Sequence, residues 1–154
     1  MAKEIDDRLK ALGIVLPIPP APAANYVPTV TTGKIVFVSG QIPSTPEGVR
    51  FVGKLGREFS IEEGRAAARI CAINILANLQ AGIGDLGKVA RIVKVVGFVN
   101  AVPDFTEPHK VVNGASDLLT EVLGERGKHA RSAIGVGTLP LGVCVEVEAI
   151  AELV

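Results

Sequence analysis

Three charged residues near the C-terminus are the first candidates for chemistry. Glu146 and Glu148 alternate with valines in an apolar run, so both carboxylates lie on one face of a predicted strand. Arg131 precedes them and can reach a substrate carboxylate with two parallel N–H groups. A neighbouring Glu can then accept a proton from water. The alternative is an ion pair on the solvent-facing surface, and the pattern alone favours that alternative.

A second candidate is the segment Ser39-Gly40-Gln41-Ile42-Pro43, which follows the apolar run 34–38. A glycine after a buried strand lets a ligand approach the backbone closely. An ordinary turn from strand to loop explains the same residues and, taken alone, is the favoured interpretation. The sequence contains no P-loop, nucleophile-elbow or zinc-protease motif.

Composition excludes several classes of function. The 154 residues fit one domain, and 16 basic residues balance 16 acidic ones, so nothing predicts binding to nucleic acid or to an anionic membrane. Aromatic residues make up 4%, which argues against stacking on bases. The cysteines and histidines (Cys71, Cys144, His109 and His129) have no metal-ligand spacing. Two reduced, buried thiols and an N-terminus unlike a signal peptide predict a cytoplasmic protein.

Two long helices are predicted to carry the core. Ser60-Ile61-Glu62-Glu63 is a capping box that begins the first helix, and Gly82 is the predicted stop. The second helix is predicted over about 107–123, with Thr106 as its N-cap, Pro108 in its first turn and Gly124 at its end. Apolar stripes at helical spacing follow both starts: Ala68, Cys71, Ala72, Ile75 and Leu79, then Val111, Ala115, Leu118, Leu119 and Val122.

Five runs are predicted to be strands: 34–38, 50–55, 89–99, 131–138 and 143–151. The last two are predicted to form a hairpin across Leu139-Pro140-Leu141-Gly142. A tight hairpin would place Arg131 on the face of Glu146 and Glu148, whereas a one-residue slip would place it on the other. The order of elements predicts an α+β fold, a single sheet with two helices packed on one face. Residues 1–22 form an N-terminal helix and Pro-rich extension, and 23–154 a single domain.

From about Ala23 to Ala151 the chain resembles the Rid/YjgF family of reactive-intermediate deaminases. The strongest match is Ala130-Arg131-Ser132, then Leu139-Pro140, then the ending Val145–Ala151 (VEVEAIA). Val38–Pro43 (VSGQIP) is close to the family's S-G-Q-I-P. Phe98-Val99, Asp104-Phe105 and Asn113 form a third match, and the three occur in the family's order and spacing.

The resemblance implies a chorismate-mutase-like (RidA-like) sheet and a homotrimer whose sheets form a central β-barrel with clefts between neighbours. It implies hydrolysis of enamines or imines, such as 2-aminoacrylate and its imine tautomer, to a 2-keto acid and ammonia, without cofactor or metal. By position, Arg131 would bind the substrate carboxylate and Glu146 would orient or deprotonate water. The resemblance places five more residues in the cleft: Tyr26, Ser39, Gly40, Asn113 and Ala133, the last standing where the family often has Cys.

Two alternatives to a deaminase remain at this stage. A regulatory trimer could bind a small carboxylate metabolite in the same clefts without turning it over. Family members have also been described as endoribonucleases and translation inhibitors. Charge balance and scarce aromatics disfavour that alternative for this chain.

Overall fold

Two β-branched runs form the centre of the sheet in the computed structural model, which describes residues 1–154. The strand at Val89–Asn100 (β5) pairs antiparallel with the strand at Val145–Leu153 (β7), and β7 pairs antiparallel with Ile35–Gln41 (β2) on its other edge. Thr29–Thr32 (β1) forms one outer strand. The other outer strand is Ala130–Val136 (β6), which runs parallel to β5. The sheet order is therefore β1-β2-β7-β5-β6, with a separate two-stranded ribbon at Ser44–Thr45 (β3) and Gly48–Val49 (β4).

The helices are Ala2–Ala11 (α1), Ile61–Ile83 (α2) and Pro108–Leu123 (α3). The capping box at Ser60 is present: its hydroxyl accepts from the Glu63 backbone N–H, and the Glu63 carboxylate accepts from the Ser60 N–H. Both predicted apolar stripes are fully buried, and α2 and α3 pack side by side on one face of the sheet. The predicted α+β arrangement of one sheet with two helices on one face is confirmed.

Close approach of the two helices depends on Gly114. A Cβ at this position would lie 2.1 Å from the backbone oxygen of Arg65 on α2, so no larger residue fits without moving a helix. Across the sheet, Gly97 similarly makes room for Val112 of α3. By length and composition α2 could span a membrane, but its apolar residues fill the core between sheet and α3, as expected of the core helix of a globular protein.

Three local predictions were wrong. α2 ends at Gly84, whose φ of 84° is the left-handed conformation of a helix C-cap, rather than at Gly82. The N-cap of α3 is Glu107 rather than Thr106, and its side chain makes no capping bond. Residues 50–55 do not form a strand but a looped segment with isolated bridges at Val52 and Leu55.

The predicted C-terminal hairpin is also wrong. β6 and β7 run in opposite directions, as expected, but β5 lies between them and pairs with both. The linking turn carries the chain over the end of β5, with Leu141 at φ 57° and Gly142 at φ 70°. The face of Arg131 is therefore set by its pairing with β5 rather than by a turn.

The N-terminal extension packs against the rest of the chain. Ile5 and Leu9 of α1 are buried in the common core, and the Arg8 guanidinium donates to the backbone oxygen of Val122 at 3.3 Å. The Pro-rich segment that follows leaves Val15 and Ile18 exposed to solvent. The division into an extension at 1–22 and a domain at 23–154 stays a prediction.

Candidate active site

Arg131 is held against α3 by three acceptors. Its Nη1 donates to Oδ1 of Asn113 at 2.8 Å and to Oγ of Ser116 at 3.1 Å. Its Nη2 donates to the backbone oxygen of His109 at 3.3 Å. The acceptors come from positions 109, 113 and 116, which lie on one stripe of the helix. A half-buried arginine on an outer strand is thereby held along the neighbouring helix.

These bonds leave one edge of the guanidinium available. Arginine has five N–H donors, and the three bonds to α3 use both on Nη1 and one on Nη2. Nε–H and one Nη2–H have no protein acceptor, and these two nitrogens form the edge of the guanidinium that can bind both oxygens of a carboxylate. The geometry fits capture of a planar anion better than an internal ion pair.

Glu146 lies beside an irregularity in β2. The register of β2 against β7 shifts by one residue between Val38 and Gln41, so Ser39 and Gly40 form a bulge. A Cβ at Gly40 would lie 2.9 Å from the carboxyl carbon of Glu146, so a larger residue would push this carboxylate out of its position. Bulges often occur next to active sites, where they redirect a side chain or open the backbone.

The carboxylate of Glu146 is half-buried and has no hydrogen-bond or ion-pair partner within the chain. Burial, and then the negative charge of Glu148 on the same face of β7, raises the pKa of Glu146 above its usual value. Glu148 itself is exposed. A carboxylate with a raised pKa and free oxygens is suited to accept a proton from water.

Tyr26 and Ser39 lie at the same end of β2. The Ser39 hydroxyl donates to the backbone oxygen of Val27 at 2.8 Å, and the Ser39 backbone N–H donates to the backbone oxygen of Pro28 at 2.9 Å. This ties the bulge to the segment that carries Tyr26, whose side chain is 59% exposed. Tyr26 therefore lies open to solvent at this end of β2.

The predicted site residues form two separate groups within one chain. Glu146 pairs with Phe98 on the face of the sheet that carries no helices, whereas Arg131 pairs with Val95 on the helix-covered face. Ala133, two residues beyond Arg131, is on that covered face too. The tight hairpin that would have placed Arg131 on the face of Glu146 and Glu148 does not form, and Arg131 lies on the other face. One chain thus presents the guanidinium of Arg131 on one face and the unpaired carboxylate of Glu146 on the other.

Sequence reasoning missed two residues that position Arg131. His109 contributes only its backbone oxygen, which no motif reveals. Ser116 could have been found, because it is three residues after Asn113 and lies on the same stripe of α3.

A family model described as "YjgF/chorismate mutase-like, putative endoribonuclease" matches residues 6–153. The chain belongs to this family. Protein TCP17 of Trypanosoma cruzi is 50% identical over 146 residues, which cover 94% of this chain and 91% of that protein. The crystal structure of protein Atu1372 from Agrobacterium tumefaciens superposes with a TM-score of 0.92 at 44% identity, covering 99% of this chain and 96% of that one.

One relative has a name that states an activity. The 2-iminobutanoate/2-iminopropanoate deaminase of Salmonella typhimurium is 33% identical over 133 residues, covering 86% of this chain and 90% of that enzyme. The resemblance inferred from the sequence motifs is therefore confirmed at the level of the family.

Proposed function

We propose that this protein hydrolyses reactive imines and enamines derived from 2-amino acids, such as 2-aminoacrylate and its imine tautomer, to 2-keto acids and ammonia. The observation that carries the proposal is the free edge of Arg131, held in place by α3 and suited to a carboxylate. The named activity of the Salmonella relative, whose substrates are imino acids with a carboxylate, supports the same substrate class.

The proposed reaction needs only a few functional groups from the protein. The imine carbon is already electrophilic, so holding the carboxylate on Arg131 and placing one water supplies most of what is needed. Glu146 accepts a proton as the water oxygen bonds to that carbon. The same proton then passes to the nitrogen, which gives a carbinolamine. Glu146 next takes the proton of the new hydroxyl group and returns it to the amine as the C–N bond breaks, so ammonia leaves as the carbonyl of the 2-keto acid forms. An enamine first takes a proton at its terminal carbon to become the imine.

The site requires a second subunit in this proposal. Arg131 and Glu146 lie on opposite faces of one sheet, so they can meet only when Arg131 of one chain approaches Glu146 of its neighbour. The helix-free face also exposes apolar side chains at Val30, Phe37 and Ile134, which are 53%, 45% and 45% exposed. Burial of this face between three subunits, as a central barrel, accounts for both observations.

We therefore expect light scattering to give three times the chain mass of 16.0 kDa. The driving force is burial of the apolar helix-free face. Phe37→Lys places a charge there and should shift the species toward monomer, with loss of activity. Val15→Lys is the matched control, because Val15 is 90% exposed on the extension. A wild-type monomer at micromolar concentration would contradict the assembly.

A coupled assay tests the reaction. An amino-acid oxidase generates imino acids in situ, and their decay is followed with and without the protein. Faster decay supports hydrolysis, whereas binding of a carboxylate without faster decay supports the alternative of a regulatory trimer. The lone carboxylate of Glu146 favours hydrolysis over mere binding, since an anion-binding cleft gains nothing from it. The proposed location is the cytoplasm, where the free Cys71 and Cys144 stay reduced.

The dependence of kcat/KM on pH provides a test of Glu146. Activity should fall as pH drops through the pKa of Glu146, which burial and the charge of Glu148 raise, because only the ionised carboxylate accepts a proton. Glu148→Gln removes the neighbouring negative charge, lowers the pKa of Glu146 and moves this acid limb to lower pH. Glu152→Gln, farther along β7 and paired with Arg91, should leave the limb in place. An unchanged limb in Glu148→Gln would refute the assignment.

A further inference from the structure

A chain of hydrogen bonds continues behind Arg131. Oγ of Ser116, which accepts from Arg131 Nη1 at 3.1 Å, lies 2.9 Å from Nε2 of His129. Nδ1 of His129 lies 2.6 Å from the backbone oxygen of Gly127. The side chain of His129 is half-buried, two residues before Arg131. It therefore connects the turn before β6 to the guanidinium.

With a neutral His129 ring, only one arrangement of protons satisfies every member of this series of hydrogen bonds. The Gly127 oxygen can only accept, so Nδ1 of His129 carries the proton. In the neutral ring Nε2 is then an acceptor, and the Ser116 hydroxyl must donate to it. That leaves the lone pairs of Oγ directed at Arg131. Burial lowers the pKa of His129, the hydrogen bond to Gly127 opposes this, and the charge of Arg131 adds to the lowering, so the net shift favours the neutral ring that this arrangement requires.

We infer that Ser116 and His129 are positioning residues that fix the orientation of the Arg131 guanidinium through this chain. The inference rests on the proposed role of Arg131 in binding a carboxylate. Without Ser116, Nη1 would keep only its bond to Asn113, and the plane would otherwise be held only by the longer bond from Nη2 to the His109 oxygen at 3.3 Å. The second acceptor, Ser116, fixes the plane, and His129 fixes the rotation of the Ser116 hydroxyl. The free edge of Nε and Nη2 is thereby aimed before any ligand arrives.

This positioning of Arg131 should affect substrate binding rather than the chemical step. A misaligned guanidinium contacts the carboxylate less well in both the ground state and the transition state, so KM rises while kcat changes little. We expect Ser116→Ala to raise KM for an imino acid roughly tenfold, and His129→Ala roughly threefold to fivefold, with kcat within about twofold. The dissociation constant for pyruvate, a 2-keto acid with the same carboxylate, should rise in parallel.

Conservative variants separate this role from general damage. Ser116→Thr keeps the hydroxyl and should stay near the wild-type KM. His129→Gln keeps an acceptor at the reach of Nε2 and should recover most of what His129→Ala loses. Thr120→Ala is the matched control, because its hydroxyl bonds the Ser116 backbone oxygen on the same turn of α3 but does not contact Arg131. Normal KM in Ser116→Ala, or no recovery in both conservative variants, would overturn the inference.

Two NMR measurements test the positioning role of Ser116 and His129 without an activity assay. The ¹⁵N shifts of His129 should show a proton on Nδ1 and none on Nε2. The opposite tautomer would contradict the proposed series of hydrogen bonds. The Nε–H of Arg131 should be ordered in the wild type and more mobile in Ser116→Ala and His129→Ala. Unchanged order would refute positioning even in an active enzyme. If the wild type neither binds pyruvate nor hydrolyses imines, the proposed function fails. The NMR measurements still show whether Ser116 and His129 position Arg131.

Discussion

Arg131→Ala is expected to lower kcat/KM for imino acids roughly 100- to 1,000-fold, and Arg131→Lys at least about tenfold. The alanine variant removes the guanidinium that α3 holds in place and that we propose binds the substrate carboxylate. A lysine keeps the charge but is a point donor on a flexible stem, and it cannot both satisfy the acceptors on α3 and offer two parallel N–H groups to a carboxylate. Both variants should remain trimeric, because the helix-free face is untouched.

A matched control is available at Arg126. It too is half-buried, and its Nη1 donates to the backbone oxygens of Gly87 and Val89, at the start of β5 and six residues before Val95, the partner of Arg131. Arg126→Lys therefore makes the same chemical change with a similar loss of hydrogen bonds. It should cost stability but leave KM unchanged. Near-wild-type rates for Arg131→Lys on every imino acid tested would show that no carboxylate fork operates.

Local features of the fold could be predicted because their causes are local. The capping box at Ser60 and the buried stripes of both helices depend on residues within a few turns of one another. The strand at 89–99 is similarly marked by its own β-branched composition. Helix ends were less certain, since both Gly82 and Gly84 could end α2 and only packing decides between them.

Strand pairing could not be predicted in the same way. The alternation of Val145–Ala151 fixes which side chains share a face, but it does not name the neighbouring strand. The turn at Leu139–Gly142 looks like a hairpin turn, yet it carries the chain across the end of β5. Because Arg131 takes its face from β5, the relation between Arg131 and Glu146 depended on this long-range choice. The motifs identified both residues, and only the sheet order shows that they lie on opposite faces.

Glu146→Gln is expected to lower kcat roughly 100-fold or more, while the dissociation constant for pyruvate changes less than about threefold. The amide keeps the size of the side chain beside Gly40 but cannot accept a proton from water. Glu148→Gln is the matched control: it makes the same change two residues away on the same face, at an exposed carboxylate. It should shift the acid limb of the pH profile but retain turnover at neutral pH. If Glu148→Gln proved the more damaging variant, the proton acceptor would be Glu148.

Mixing two inactive variants tests whether the site spans two subunits. Arg131→Ala and Glu146→Gln chains, co-refolded in equal amounts, should form mixed trimers. If Arg131 and Glu146 of a site come from different chains, half of the chains supply each native residue, and one half times one half gives about one quarter of sites with both. Activity should therefore recover to about a quarter of wild type. If both residues acted from one chain, every site would lack one of them and mixing would restore nothing. The absence of recovery in trimers shown to be mixed would refute a site between subunits, even if each single variant behaved as expected.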